Sequence, residues 1–181
     1  LRLFTGLAIE YPVRRNLELV LEHLKPLAAL DWSPAANFHI TTKFIGSWPA
    51  ERLDELKAAL QKVPKRGPIR VGIGGFGWFP NPHVPRTLFA SVRAPQELFD
   101  LAKDLDTVLA GLGLEAEPRE YVPHLTLAKM KAGTDVSALR RAIAELPSAE
   151  FGASTAAKLL LYKSEAGEKS SVYTVIGEIA L

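Results

Sequence analysis

Apolar residues recur along the chain with two different periods, and the exchange between them sets out the fold. Leu3, Phe4, Leu7 and Ile9 make residues 3–9 read as a buried strand. After a break at Tyr11-Pro12, Leu17, Val20, Leu21, Leu24 and Leu27 keep the three-and-four spacing of an amphipathic helix over residues 13–30, with Pro26 placed to kink it or end it early. A turn-rich link over 31–37 leads into the strand Phe38-His39-Ile40-Thr41-Thr42-Lys43-Phe44-Ile45-Gly46. Ser47 as a cap and Pro49 in the first turn then open a second helix, with Leu53, Leu56, Ala59 and Leu60 as its buried stripe. It ends before the hinge-like segment 64–68. Residues 69–79 read as a strand loosened by Gly72, Gly74, Gly75 and Gly77, followed by a Pro-rich loop over 80–85.

The same order then starts again. Residues 87–92 read as a strand, 95–109 as a helix with Leu98, Leu101, Ala102, Leu105 and Leu109 on one face, and 115–122 as a link. The strand Pro123-His124-Leu125-Thr126-Leu127-Ala128-Lys129 follows, then a helix over 136–146 with its exit at 148–152. Strands at 156–164 and 172–180, parted by a turn at 165–169, close the chain. Leu3-Phe4 and Leu88-Phe89 are separated by 88 − 3 = 85 positions, and His39 and His124 by 124 − 39 = 85. The expected fold is therefore α+β and bilobal: one domain over 1–181 with two β-α-β-α-β lobes, about 1–80 and 86–160, related by a pseudo-twofold axis. Antiparallel sheets flank a central cleft, and the C-terminal strands complete them.

Composition narrows the class. With 48% hydrophobic and 23% charged residues the chain can bury a core large enough to offset its ordering entropy. The absence of cysteine excludes a disulfide framework, a thiolate nucleophile and Cys-ligated metal, and points to a reducing cytoplasm. No leader pattern and no run of membrane-spanning length is present, so a soluble cytoplasmic protein is expected. A formal charge of +2, with scattered basic residues, demands no broad nucleic-acid surface and leaves room for a local basic cleft.

The chemistry lies in the two similar strands. Side chains two apart on a strand share a face, so His39 with Thr41, and His124 with Thr126, would present two imidazoles and two hydroxyls to one cleft. Histidine titrates nearest neutrality, so the pair can divide into a neutral base and a protonated acid, which suits displacement at phosphorus. Threonine hydroxyls can donate to non-bridging oxygens as charge develops. The scheme requires no metal and no cofactor. Its symmetry leaves open which histidine is the acid. A single His-x-Thr is a weak signal; the repeat in like surroundings is what carries weight against two histidines that merely tie neighbouring hydroxyls. Strict alternation gives Lys43 the face of His39 and turns Lys129 away, which makes Lys43 the better phosphate contact. His23 and His83 have no ligand-spaced partners and read as surface residues, and the Gly72–Gly77 stretch lacks a P-loop ending.

The stretches HITTKFIG and PHLTLAK resemble the paired signatures of the 2H phosphoesterase superfamily. RLFTGLAI, PRTLFASV and the closing LLLYKSE and YTVIGEIAL resemble its RNA 2′,3′-cyclic phosphodiesterase branch, also called the 2′-5′ RNA ligase family. The resemblance covers essentially the whole chain. It implies metal-independent opening of a terminal 2′,3′-cyclic phosphate to a 2′-phosphomonoester, with reverse 2′-5′ ligation from the same site. His39 would be the proton donor, His124 the proton acceptor, and Thr41 and Thr126 the phosphate-binding residues. RNA 3′ ends bearing the cyclic phosphate, tRNA fragments among them, would be the partners of a monomeric enzyme. Lys43 and Lys129 stand where relatives often carry Arg, which keeps charge and loses the bidentate fork. Arg86, Arg119 and Lys131 are candidates to grip RNA phosphates, and Phe4, Phe89, Tyr121, Trp78 and Phe79, read mainly as core, include candidates to stack on a terminal base. The alternatives are a phosphodiesterase for a small cyclic nucleotide and a non-catalytic RNA-end-binding module.

Overall fold

The computed structural model describes residues 1–181. The order is β1 (Arg2–Ala8), α1 (Tyr11–Leu24), β2 (Asp31–Trp32), β3 (His39–Ser47), α2 (Leu53–Leu60), β4 (Ile69–Phe79), β5 (Thr87–Arg93), α3 (Gln96–Ala110), β6 (His124–Lys129), α4 (Ser137–Ala144), β7 (Glu150–Ala156), β8 (Lys158–Ala166) and β9 (Ser171–Ala180). Two antiparallel sheets, ordered β3-β1-β8-β9 and β2-β6-β5-β4-β7, make the α+β fold that the sequence indicates. No helix is long and apolar enough to cross a membrane.

Each helix buries one stripe. Val13, Leu17, Leu21 and Leu24 of α1 pack toward β7, and α4 lies beside α1; Leu98, Leu101, Leu105 and Leu109 of α3 pack toward β3, with α2 alongside. These stripes and the inner faces of both sheets form one continuous core of 34 buried residues, worth roughly 1.5–3 kcal/mol per fully buried aliphatic side chain before entropy is charged against it. Pro26 does end α1: the chain tightens to a 3₁₀ turn at Lys25–Leu27, because a proline has no N–H to continue the α ladder. Ser47 does not cap α2. It is the last residue of β3, and a 3₁₀ turn at Ala50–Arg52 leads in instead, held by the Trp48 indole N–H donating to Arg52 O at 2.9 Å.

Neither sheet is built from a continuous stretch, so lobes at about 1–80 and 86–160 do not coincide with the sheets. Strand β4 pairs with β5, and β8 pairs with β1, so β4 of the first half joins the sheet of β5 and β6, and β8 of the second half joins the sheet of β1 and β3. The internal match is real but its offset is not uniform. His39 and His124 occupy matching places, while Gly6 pairs Thr41 as Phe89 pairs Thr126, so 89 − 6 = 83 relates β1 to β5. The alignment of Leu3-Phe4 with Leu88-Phe89 is two positions out of step with the structure. Two strands were also not expected: the two-residue β2, inside the supposed link, and β7, where Gly152 at φ +109 and flanking polar residues resemble a turn.

Candidate active site

Strands β3 and β6 meet the cleft with the same local irregularity. In the β1–β3 ladder Gly6 pairs Thr41 and Thr5 pairs Lys43, leaving Thr42 as an extra residue; in the β5–β6 ladder Phe89 pairs Thr126 and Leu88 pairs Ala128, leaving Leu127. A bulge reverses the side-chain phase beyond it. His39, Thr41 and, past the bulge, Phe44 face the cavity, as do His124, Thr126 and Lys129. Lys43 is thereby turned inward. The residue is 8% exposed, and its ammonium bonds Asp106 at 2.5 Å and Glu115 O at 2.8 Å. The expectation that Lys43 holds phosphate and Lys129 points away is therefore reversed, because alternation does not survive a bulge.

All four predicted site residues line one cavity of about 360 Å³. His39 Nδ1 donates to Asn37 O at 2.6 Å and His124 Nδ1 donates to Val122 O at 2.8 Å, in each case the carbonyl two residues before the histidine. A carbonyl only accepts, so both neutral rings carry their proton on Nδ1 and keep the Nε2 lone pair for the cleft. Thr41 Oγ1 lies 2.9 Å from His39 Nε2 and donates to it; His124 Nε2 has no protein partner. Aromatic rings bed both imidazoles. Phe4 lies 4.8 Å from His39 and Tyr173 meets it edge-on at 5.3 Å, while Phe79 and Phe89 meet His124 at 4.8 and 5.4 Å.

Burial among these rings lowers both imidazole pKa values below 6.5; Asn37 O opposes this at His39, and the charges of His124 and Lys129 add to it, while Val122 O opposes it at His124. The Tyr162 hydroxyl, desolvated behind His39, is pushed up to about 12, so it stays neutral.

Arg2 and Lys129 are the cations that line the cavity; Arg86, Arg119 and Lys131 do not, and Arg119 instead pairs with Glu117 at 3.0 Å. Sequence reasoning passed over Arg2, Asn37, Phe44, Tyr173 and Ser33, Ser164 and Ser171 as lining residues. Asn37 had one available signal, its place two residues before His39. Of the aromatic candidates, Phe4 lines the cavity, Phe79 and Phe89 support His124, Tyr121 reaches Thr41, and Trp78 lies under the Arg140 guanidinium at 4.4 Å. His23 and His83 are outside the site, and no group of three or more His, Asp or Glu side chains converges as a metal-binding set.

Two antiparallel sheets that each give a His-x-Thr strand to a shared cleft define a two-histidine phosphoesterase fold. Residues 13–167 match the 2′-5′ RNA ligase superfamily, and the chain belongs to that family. It is 29% identical over 176 residues to an RNA 2′,3′-cyclic phosphodiesterase of Methanothermobacter thermautotrophicus, covering 96% of this chain and 95% of that protein. It is also 29% identical over 178 residues to one of Methanocaldococcus jannaschii, covering 98% and 99%. Among solved structures, TT0787 of Thermus thermophilus superposes with a TM-score of 0.83 at 27% identity, covering 100% of this chain and 98% of that one. E. coli LigT complexed with 3′-AMP shares the fold, with a TM-score of 0.80 at 23% identity and coverage of 99% and 97%.

Proposed function

We propose that the protein is an RNA 2′,3′-cyclic phosphodiesterase that opens a terminal 2′,3′-cyclic phosphate to a 2′-phosphomonoester without a metal ion, and that the same site can run 2′-5′ joining in reverse. The observation that carries this reading is the pair of Nδ1-anchored imidazoles that turn their Nε2 atoms to one cavity. His124 Nε2 takes the proton of the attacking water. His39, protonated when the dianionic transition state develops beside it, gives its Nε2 proton to the departing 3′-oxygen, each role being worth roughly 10²–10⁴ in rate. Protonation of His39 Nε2 removes the acceptor of the Thr41 hydroxyl, which is then free to donate to a non-bridging phosphate oxygen opposite Thr126. The division of roles follows the family resemblance, since both rings are held alike.

Hydrolysis of a short RNA with a 2′,3′-cyclic phosphate, in EDTA, tests the reading with His39→Ala and His124→Ala made separately. The parent yields a 2′-phosphate end and both variants lose most of kcat. A substrate with sulfur at the 3′ bridging position then separates the roles, because a thiolate leaves without a proton. It restores rate to His39→Ala and not to His124→Ala; the opposite pattern exchanges the two roles. An inert parent that still binds the RNA leaves the reading without support and favours a binding module. A second reading, hydrolysis of a small cyclic nucleotide, is favoured by one observation: only Arg2 and Lys129 bring positive charge to the cavity wall. A kcat/KM for a mononucleoside cyclic phosphate that equals that for the RNA would decide for it.

A further inference from the structure

We propose that the link between α3 and β6, residues 115–122, is a strap that fixes His124 against His39 across the cleft, with Tyr121 and Lys43 as its positioning residues; the catalytic consequence rests on the phosphodiesterase reading above. The link has no helix or strand of its own and most of it is exposed. Two bonds sew it to β3. At its start Lys43 Nζ donates to Glu115 O at 2.8 Å while paired with Asp106, and at its end the Tyr121 hydroxyl donates to Thr41 O at 2.7 Å. Strand β3 is the edge of its sheet, so carbonyls on its open side need partners from elsewhere, and the strap supplies one.

The Tyr121 bond stands between the two catalytic groups. From His39 the contacts run through Thr41 Oγ1, along Thr41 to its carbonyl, across the phenol to Tyr121, and through the next residue, Val122, whose carbonyl holds His124 Nδ1. The ring is fixed edge-on to Phe99 at 5.9 Å, which leaves its hydroxyl little freedom. The device is one-sided. In the matching half, Ala36 and Ala128 stand where Tyr121 and Lys43 would be, and the carbonyl-bearing Asn37 is tied by its own side chain, Nδ2 to Ser171 O at 2.7 Å. His39 is therefore supported from β9 of its own sheet, whereas the support of His124 comes from the opposite sheet.

Tyr121→Phe keeps the ring on Phe99 and removes only the hydroxyl. Nitrogen-15 spectra of the imidazoles read the tautomer directly: the parent shows Nδ1–H at both histidines, and Tyr121→Phe shifts His124 toward Nε2–H while His39 is unchanged. In turnover of the cyclic-phosphate RNA the variant loses about ten-fold in kcat with KM within about two-fold, as expected when a reacting group is misplaced by less than an ångström. Lys43→Met with Asp106→Asn, which strands no carboxylate, gives the same tautomer shift. An unchanged His124 tautomer in Tyr121→Phe overturns the strap whatever the rate does. An inert parent counts against the phosphodiesterase reading alone, and the spectra still decide the strap.

Discussion

Gly6→Ala places a single methyl group where β1 passes the His39 strand, and its effect can be worked from the structure. A Cβ at Gly6 would lie 2.8 Å from Ile40 O, 3.4 Å from Tyr162 Cε2 and 3.5 Å from His39 Cδ2. A comfortable carbon-to-oxygen contact is about 3.3–3.6 Å, so the Ile40 peptide must retreat by about 0.5 Å. Ile40 is fully buried in the core and flanked by His39 and Thr41, so it cannot move alone. Overpacking of this kind costs about 1–3 kcal/mol, and for a chain of this length each kcal/mol lowers Tm by roughly 2–4 °C. The expected fall is about 2–12 °C by calorimetry. A displacement near 1 Å costs about 10² in rate, so half of it should lower kcat about ten-fold. Gly77→Ala makes the matching insult in the other sheet, where the new Cβ would strike the Phe89 ring that rests on His124. If Gly6→Ala melts within about 1 °C of the parent and keeps kcat within about two-fold, close approach at Gly6 does not position the His39 strand.

Because burial lowers both imidazoles, the bell of kcat/KM against pH should peak below 6.5, with both limbs belonging to the coupled pair; a maximum above about pH 7 would sink this account. The same shifts bear on stability. The folded values lie below the unfolded 6.5, so the unfolded chain binds more protons between them, and the contribution present above pH 6.5 is lost as pH falls through the folded values. Urea unfolding at about pH 7.5 and about pH 5.5 should show the parent losing more stability than a His39→Asn/His124→Asn variant. Lys129→Met should cost about ten-fold in kcat/KM and flatten its salt dependence, with Lys129→Arg close to the parent. Lys43→Met, whose cation lies off the cavity, should leave the salt slope unchanged.

Periodicity was enough to mark the four helices and seven of the strands, since the Leu stripes of α1 and α3 and the alternation in β3 and β6 have no rival reading. The two His-x-Thr pairs were equally open to reading, because the first three residues of each strand precede its bulge and obey alternation. What followed the bulge was not. An extra residue at Thr42 or Leu127 leaves no mark in composition, so Lys43 and Lys129 exchanged faces, and Phe44 came to the cavity as the counterpart of Lys129. Strand exchange was hidden for another reason. Which sheet β4 or β8 joins depends on partners far along the chain, and the apolar pattern of a strand does not name its neighbour. The offset of 85 that matched the histidines also paired Phe4 with Phe89 by coincidence of residue type, while their ladder positions differ by two.

The exchange of strands and the placement of the site follow from one another. A lobe closed on its own strands could swing on the loop between β4 and β5. Here β8 lies against β1 and β4 against β5, so each sheet holds strands from both halves of the chain, and neither half can move as a separate body without breaking a ladder. The cleft lies between one edge-proximal strand of each sheet, and in-line displacement needs a donor and an acceptor of protons placed on either side of the phosphorus. Near-identical scaffolds deliver near-identical imidazoles, each Nδ1-bonded to the carbonyl two residues back. The asymmetry that gives the reaction a direction must come from what differs between the two halves: Phe44 opposite Lys129, the bond from the Thr41 hydroxyl to His39 Nε2 that Thr126 does not repeat at His124, and the Tyr121 strap behind His124. A positive charge on the His124 strand and an apolar ring on the His39 strand give an incoming phosphate and an incoming nucleoside different places to settle. The bound orientation, more than any difference between the histidines, would then decide which imidazole faces water and which faces the leaving oxygen.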